Sequence, residues 1–248
     1  MSKLVEILKR SLARRNLQIR RLPAPLIHNP GAELRPKLAH VIAHHLVHHQ
    51  PEDFFFLQVG AYDGLTNDPL HDLVVRFGWR GILLEPQKEA FAALTANYRG
   101  QEQLLLRNAA VAATSGPRPL YKIDGNAPDL PSWATQLASF RRETILTHRD
   151  VIPRIDEFLI TEEVECVTFD DLLAPFPGRT VDLLQIDAEG NDFEIIKLFH
   201  QGGRRAHIVH FEHKHLSPRE LADCAALLVE CGYAVGLDGG DSTAYLGG

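Results

Sequence analysis

The chain has 248 residues, 45% of them hydrophobic and 23% charged, which is ordinary for a globular protein and enough for one sizeable core. A net charge of −6 weighs against nucleic acid as the main partner. No apolar run reaches the roughly 18 residues of a membrane span, and Cys166, Cys224 and Cys231 are too scattered for a disulfide framework. No transmembrane segment and no secretory signal are therefore expected, and a reducing, cytoplasmic location is.

Residues 1–21 carry seven Lys/Arg against one acid, Glu6, and Leu4, Leu8 and Leu12 recur every four residues. This spacing predicts a basic amphipathic helix. Such a helix can lie on an anionic membrane surface. Its narrow apolar stripe favours docking on its own domain or on a second subunit, so a homodimer or surface contact is the expected partner role. Pro23, Pro25, Pro30 and Pro36 then mark a linker.

Residues 37–49 read as a second helix, with Leu38, Val41, Ile42, Leu46 and Val47 on one side. His40, His44 and His48 recur every four residues, as do His45 and His49. Two histidines one turn apart can share a zinc ion. No cysteine or acid nearby in the chain completes a coordination sphere, so a solvated helix face is the expectation. Residues 1–50 are thus read as an N-terminal helical extension, and 51–248 as the main domain.

Strands are expected near 54–59, 80–85, 103–111, 181–187, 206–212, 232–237 and 242–246, and helices near 67–77, 87–98, 190–200 and 217–231. Such alternation predicts an α/β fold with a parallel, doubly wound sheet. Residues 124–160 interrupt it with Pro128, Pro131 and Trp133, then a helix through Leu137, Phe140 and Ile145. This insertion is too long for a simple connection. It is either a cap over a substrate pocket or a packing excursion.

The most informative segment is Phe54–Gly64, an apolar strand ending in a loop with Gly60 and Gly64. About 20 residues on, Gly81-Ile-Leu-Leu ends in Glu85. A strand, a glycine turn, a helix and a strand ending in an acid cradle a nucleoside, because the acid can take both ribose hydroxyls. Ligands of open α/β sheets bind beyond the strands' carboxyl ends, so Asp63, Glu85, Asp187, Glu189 and Glu212 should face one crevice. Tyr62 stands where a dinucleotide loop would place its second glycine, and no phosphate-binding Gly-x-x-x-x-Gly-Lys motif is present. A nucleoside without a phosphate chain is favoured. S-adenosylmethionine is the common one, and its cationic sulfonium suits an acidic crevice. A nucleotide-sugar or dinucleotide enzyme and a non-catalytic Rossmann-like binding module are the alternatives.

Gln-Val-Gly-Ala-Tyr-Asp-Gly at 58–64, Leu-Glu-Pro at 84–86 with Asn97 downstream, Asn108-Ala-Ala-Val, Val181-Asp-Leu-Leu-Gln-Ile-Asp-Ala-Glu-Gly190 and the late Phe211-Glu212 together resemble the FkbM-type methyltransferases. The resemblance covers residues 53–237. It implies a Rossmann-like fold whose mostly parallel sheet carries an antiparallel C-terminal strand. It also implies S-adenosylmethionine as cofactor and O-methylation of a small metabolite such as a sugar or polyketide. Carried across by match, Gly60, Ala61, Asp63 and Gly64 form the cofactor loop, Glu85 with Pro86 holds the ribose, and Asn108 and Ala109 lie beside the adenine. Asp187 and Glu189 face the methionine end or the acceptor. Gln58 stands where an acid is frequent; it can still accept from the methionine amino group but supplies no charge.

Methylating a hydroxyl calls for a base. Asp187, Glu189, Glu212 and His213 are the candidates by position, and His210 shares the strand face of Glu212. His213 reads equally as a surface histidine, and Asp187 could cap the helix that follows. The same four residues could hold a divalent metal. Spacing alone assigns none, and the metal is left unknown.

Overall fold

The computed structural model describes residues 37–246. The basic helix expected at the N-terminus and the proline linker after it lie outside the described residues. The strands are β1 Phe55–Val59, β2 Arg80–Leu84, β3 Leu104–Arg107, β4 Ala110–Val111, β5 Gly116–Ile123, β6 Ala138–Ser139, β7 Leu159–Val167, β8 Val181–Ile186, β9 Ala206–Glu212, β10 Tyr233–Asp238 and β11 Asp241–Leu246. The helices are α1 Leu38–Leu46, α2 His71–Phe77, α3 Lys88–Asn97, α4 Arg142–Leu146, α5 Phe169–Leu173, α6 Asp192–Gln201 and α7 Pro218–Glu230.

Seven strands form one sheet in the order β10-β11-β9-β8-β1-β2-β3. All neighbours are parallel except β11, which runs antiparallel to both β9 and β10. The chain order reverses between β1 and β8, which is where an open sheet leaves a crevice at its carboxyl edge. Both strands are buried along their whole length, as their largely apolar runs suit in a sheet covered on two sides. Along β1, Phe55, Leu57 and Val59 face a core shared with Ile195, Ile196 and Phe199 of α6 and with Cys224 and Leu228 of α7. Phe56 faces the opposite core with Leu38, Val41 and Ile42 of α1, Val74 of α2 and Leu94 of α3. The period-two alternation of a strand is what divides these two layers.

Several elements differ from the reading of the sequence. The run 103–111 is two strands: β3 stays in the main sheet, while β4 pairs with β7. The break falls at Asn108, whose side chain donates to the carbonyls of Glu85 and Pro86. The helix after the glycine loop begins at His71, because Asn67 has φ of 58° and Pro69 follows. A second, four-stranded sheet in the order β4-β7-β5-β6 was not expected. The single helix anticipated through Leu137, Phe140 and Ile145 is instead a 3-10 turn, the short β6 and α4. Leu137 and Ile145 are nonetheless both buried, in a small core with Ile123, Ala134, Ile152 and Ile155. His45 is fully buried rather than solvated.

Candidate active site

The turns after β1 and β8 meet at the switch point. Gly60 has φ of 80°, and a Cβ there would lie 1.8 Å from the carbonyl oxygen of Asp187. Only glycine allows that approach. The N–H groups of Gly60 and Ala61 both donate to the Leu84 carbonyl, at 3.0 and 2.9 Å. This places the Tyr62 N–H 2.9 Å from Glu85 Oε2, while Glu85 Oε1 accepts the Gln87 N–H at 2.8 Å. A carboxylate offers about four acceptor positions, so each Glu85 oxygen keeps one for a ligand hydroxyl. Burial pushes the Glu85 carboxyl up to about 7, against the downward pull of these two N–H donors.

A cavity of about 290 Å³ opens over these turns. At one end Pro86, Ala109, Ala110, Val111 and Leu120 form an apolar slot beside Glu85. In the middle, Gln58 and Gln185 are direct neighbours on adjacent strands. Both are buried, and the Oε1 of each has no partner. At the other end stand Asp187, Glu189, Glu212 and Lys214. Asp187 is open to the cavity. Protein crowded around its carboxyl, and next the Glu212 and Glu189 carboxylates, hold it well above the usual carboxylate range. Burial raises Glu212 as well, opposed by its hydrogen bond from Lys214. The second sheet closes the top: Gln136, Ala138, Ser139 and Phe140 line the cavity, and the Ser139 hydroxyl donates to the Glu189 carbonyl at 2.9 Å.

The family model for the methyltransferase FkbM domain matches residues 58–235. The chain belongs to that family. No curated protein sequence matches it. Among solved structures it is similar to an FkbM methyltransferase from Methylobacillus flagellatus KT, at 10% identity and a TM-score of 0.47, over 79% of this chain and 44% of that one. The chain thus spans less than half the length of that protein. It is also similar to the N-terminal domain of human METTL16 in complex with SAH, at 13% identity and a TM-score of 0.44, over 98% and 82% of the two chains. A third is an O-methyltransferase from Bacillus cereus in complex with SAH, at 12% identity and a TM-score of 0.38, over 99% of this chain and 91% of that one.

S-adenosylmethionine is the cofactor of this FkbM-family methyltransferase, and the residues present fit it. The Glu85 oxygens suit the ribose hydroxyls, the apolar slot suits an adenine, and the unpartnered Gln58 and Gln185 oxygens suit an ammonium group. The acidic end suits a sulfonium. Of the residues singled out by sequence, Gln58, Gly60, Ala61, Glu85, Pro86, Ala109, Asp187, Glu189 and Glu212 line one cavity.

The structure sets four others behind its wall. Asp63 turns back on its own loop, accepting from the Leu65 and Thr66 N–H groups and from the Thr66 hydroxyl. Gly64 packs on α3, where a Cβ would lie 2.4 Å from Leu94 Cδ1. Asn108 braces the chain after β2 through its two carbonyl contacts. His213 pairs with the Ser242 hydroxyl at 2.9 Å, and burial lowers its pKa. His210 is likewise engaged, with the Thr243 hydroxyl at 2.8 Å.

Sequence reasoning missed Gln185 and His215. Gln185 is polar in an otherwise apolar strand, a signal that was there to read. His215 comes from the loop after β9, and no local pattern marks it. Its side chain is 9% exposed, with Nε2 2.8 Å from Glu189 Oε2 and 3.5 Å from Glu212 Oε2. Glu189, Glu212 and His215 each offer an atom within 4.8 Å of the other two, a spacing that could hold a metal ion. Lys214, paired with Glu212 Oε1, supplies a positive charge there, and Glu189 Oε2, Glu212 Oε2 and His215 Nε2 are buried without a hydrogen-bond partner.

Proposed function

We propose that this methyltransferase O-methylates a hydroxyl of a small metabolite. The reading rests on one observation above all: a pair of carboxylates backed by His215 stands at the acidic end of the cavity that Glu85 begins. When bound, S-adenosylmethionine supplies an electrophilic methyl group on a positively charged sulfur. Glu85 would hold the ribose, and Gln58 and Gln185 would accept from the amino group. Asp187 and Glu212 would offset the positive charge.

Transfer is an in-line displacement, so alignment of the acceptor oxygen is most of the task. The hydroxyl proton passes to Glu189, whose Oε2 lies 2.8 Å from His215 Nε2. Ser139 and Phe140, over the acidic end, limit water.

The test is transfer of a radiolabelled methyl group to a panel of sugars, polyketide alcohols and matching amines, with cofactor binding followed by calorimetry. Label appearing on alcohols supports the reading. Cofactor binding with label appearing only on amines would overturn the hydroxyl assignment, and no binding at millimolar cofactor would overturn the site itself.

A further inference from the structure

His45, His49 and His207 meet at the amino edge of the sheet, away from the cavity. His45 is the penultimate residue of α1, His49 lies one turn beyond it, and His207 is the second residue of β9. The His45 and His49 rings stack with centroids 4.0 Å apart, and the His207 ring lies 4.9 Å from one and 5.0 Å from the other. One ligand atom from each residue lies within 4.8 Å of the other two.

The orientation of His45 is set from behind. Its Nε2 is 2.8 Å from Asp182 Oδ1, and the second Asp182 oxygen accepts the Phe55 N–H at 2.8 Å. A carboxylate on one ring nitrogen holds the proton there and leaves a lone pair on the other. That other atom, Nδ1, is buried and has no hydrogen-bond partner, although His45 is fully buried. A buried acceptor left unmatched is costly. A ligand imidazole braced by a carboxylate is also how proteins commonly orient metal-binding histidines.

We propose that His45, His49 and His207 bind a zinc ion that ties α1 to β9, with solvent water as the fourth ligand. Three neutral imidazoles suit zinc, and an Asp182 carboxylate behind one of them raises its basicity. His49 is exposed, which gives the ion a route in and lets that ring reorient at little packing cost. The site is independent of the methyltransferase chemistry. Sequence alone could not assemble it, because His207 and Asp182 are distant in the chain from the His45–His49 pair.

The experiment is calorimetric titration of the chelator-treated full chain with zinc chloride, with cobalt absorption as a second readout. The expected result is one zinc per chain with a tetrahedral cobalt spectrum, and a thermal midpoint that rises with zinc. His207→Ala and the milder His207→Asn should lose the ion while keeping the wild-type circular dichroism. Asp182→Asn should weaken binding by about 10- to 100-fold, and His40→Ala should bind as the wild type does. No zinc uptake by the wild type, or uptake that survives both His207 variants, overturns the proposal. Uptake lost instead in Glu212→Gln would place the ion in the crevice and overturn it too.

Discussion

Glu85 and Tyr62 are joined across the turn after β1, the carboxylate Oε2 accepting the Tyr62 backbone N–H at 2.9 Å. The bond ties the end of β2 to the loop after β1, so the acid proposed to hold the ribose also fixes that loop. Tyr62 has φ of 48°, a left-handed conformation that its side chain makes unfavourable. Glu189, in the facing turn, has φ of 47°. Backbone strain is thus found in both turns that wall the cavity.

Replacing Glu85 with Ala should weaken binding of S-adenosylhomocysteine by about 1–3 kcal/mol, the usual loss for charge-assisted hydrogen bonds. Calorimetry would read this as roughly a 5- to 150-fold higher Kd. A wild-type Kd in this variant removes Glu85 from the ribose site.

Cofactor affinity should depend on pH through the same group. Its carboxyl titrates near 7 because of burial, and two donating hydroxyls favour the ionised form. Binding is therefore strongest above pH 7 and weakens below it, by at most about tenfold per pH unit for one proton. Near pH 7 the binding enthalpy should vary with the buffer's ionisation enthalpy, since a proton is released. Affinity that stays constant from pH 8 to pH 5.5 would contradict this.

Glu189→Gln should lower kcat by about 10²- to 10⁴-fold, the usual range for a lost general base. The cofactor Kd should stay close to that of the wild type. An unchanged kcat would transfer the proton step to another group.

Gly60→Ala should destabilise the fold by about 3 kcal/mol or more, combining a left-handed alanine with overpacking against Asp187. Urea denaturation measures it. A loss under about 1 kcal/mol would mean the turns after β1 and β8 separate easily.

Asp192 is fully buried at the start of α6, accepts the Gly190 N–H at 3.2 Å, and has its pKa pushed up to about 7, first by burial and then by Glu212. Its folded pKa exceeds its unfolded one, so its contribution to stability is complete below about pH 4 and is lost as pH rises through 7. The full difference is about 4 kcal/mol, from three pH units at 1.36 kcal/mol each. Asp192→Asn should flatten the fall in unfolding free energy between about pH 4 and pH 7. An unchanged slope would show that Asp192 does not titrate in this range.

The alternation of apolar runs and helices, the glycine turn and the acids ending β2 and β9 were legible in the sequence because strand burial and turn chemistry are local. Their periods are written in neighbouring residues. The second sheet was not legible. β5 carries Pro117 and Pro119 and is largely exposed at its start, so it gives no continuous apolar signal. Asp63 looked like a crevice acid because it sits in the right loop, yet three local donors turn it inward.

What the sequence by itself determined is the doubly wound sheet, its family and the place of Glu85. Only the tertiary structure decided that His215 meets Glu189, that Gln58 and Gln185 stand side by side, and that His207 joins His45 and His49. Those contacts join residues far apart in the chain or out of any regular spacing. Pairing of distant strands brings them together, and that pairing is a property of the packed sheet rather than of any short stretch of chain.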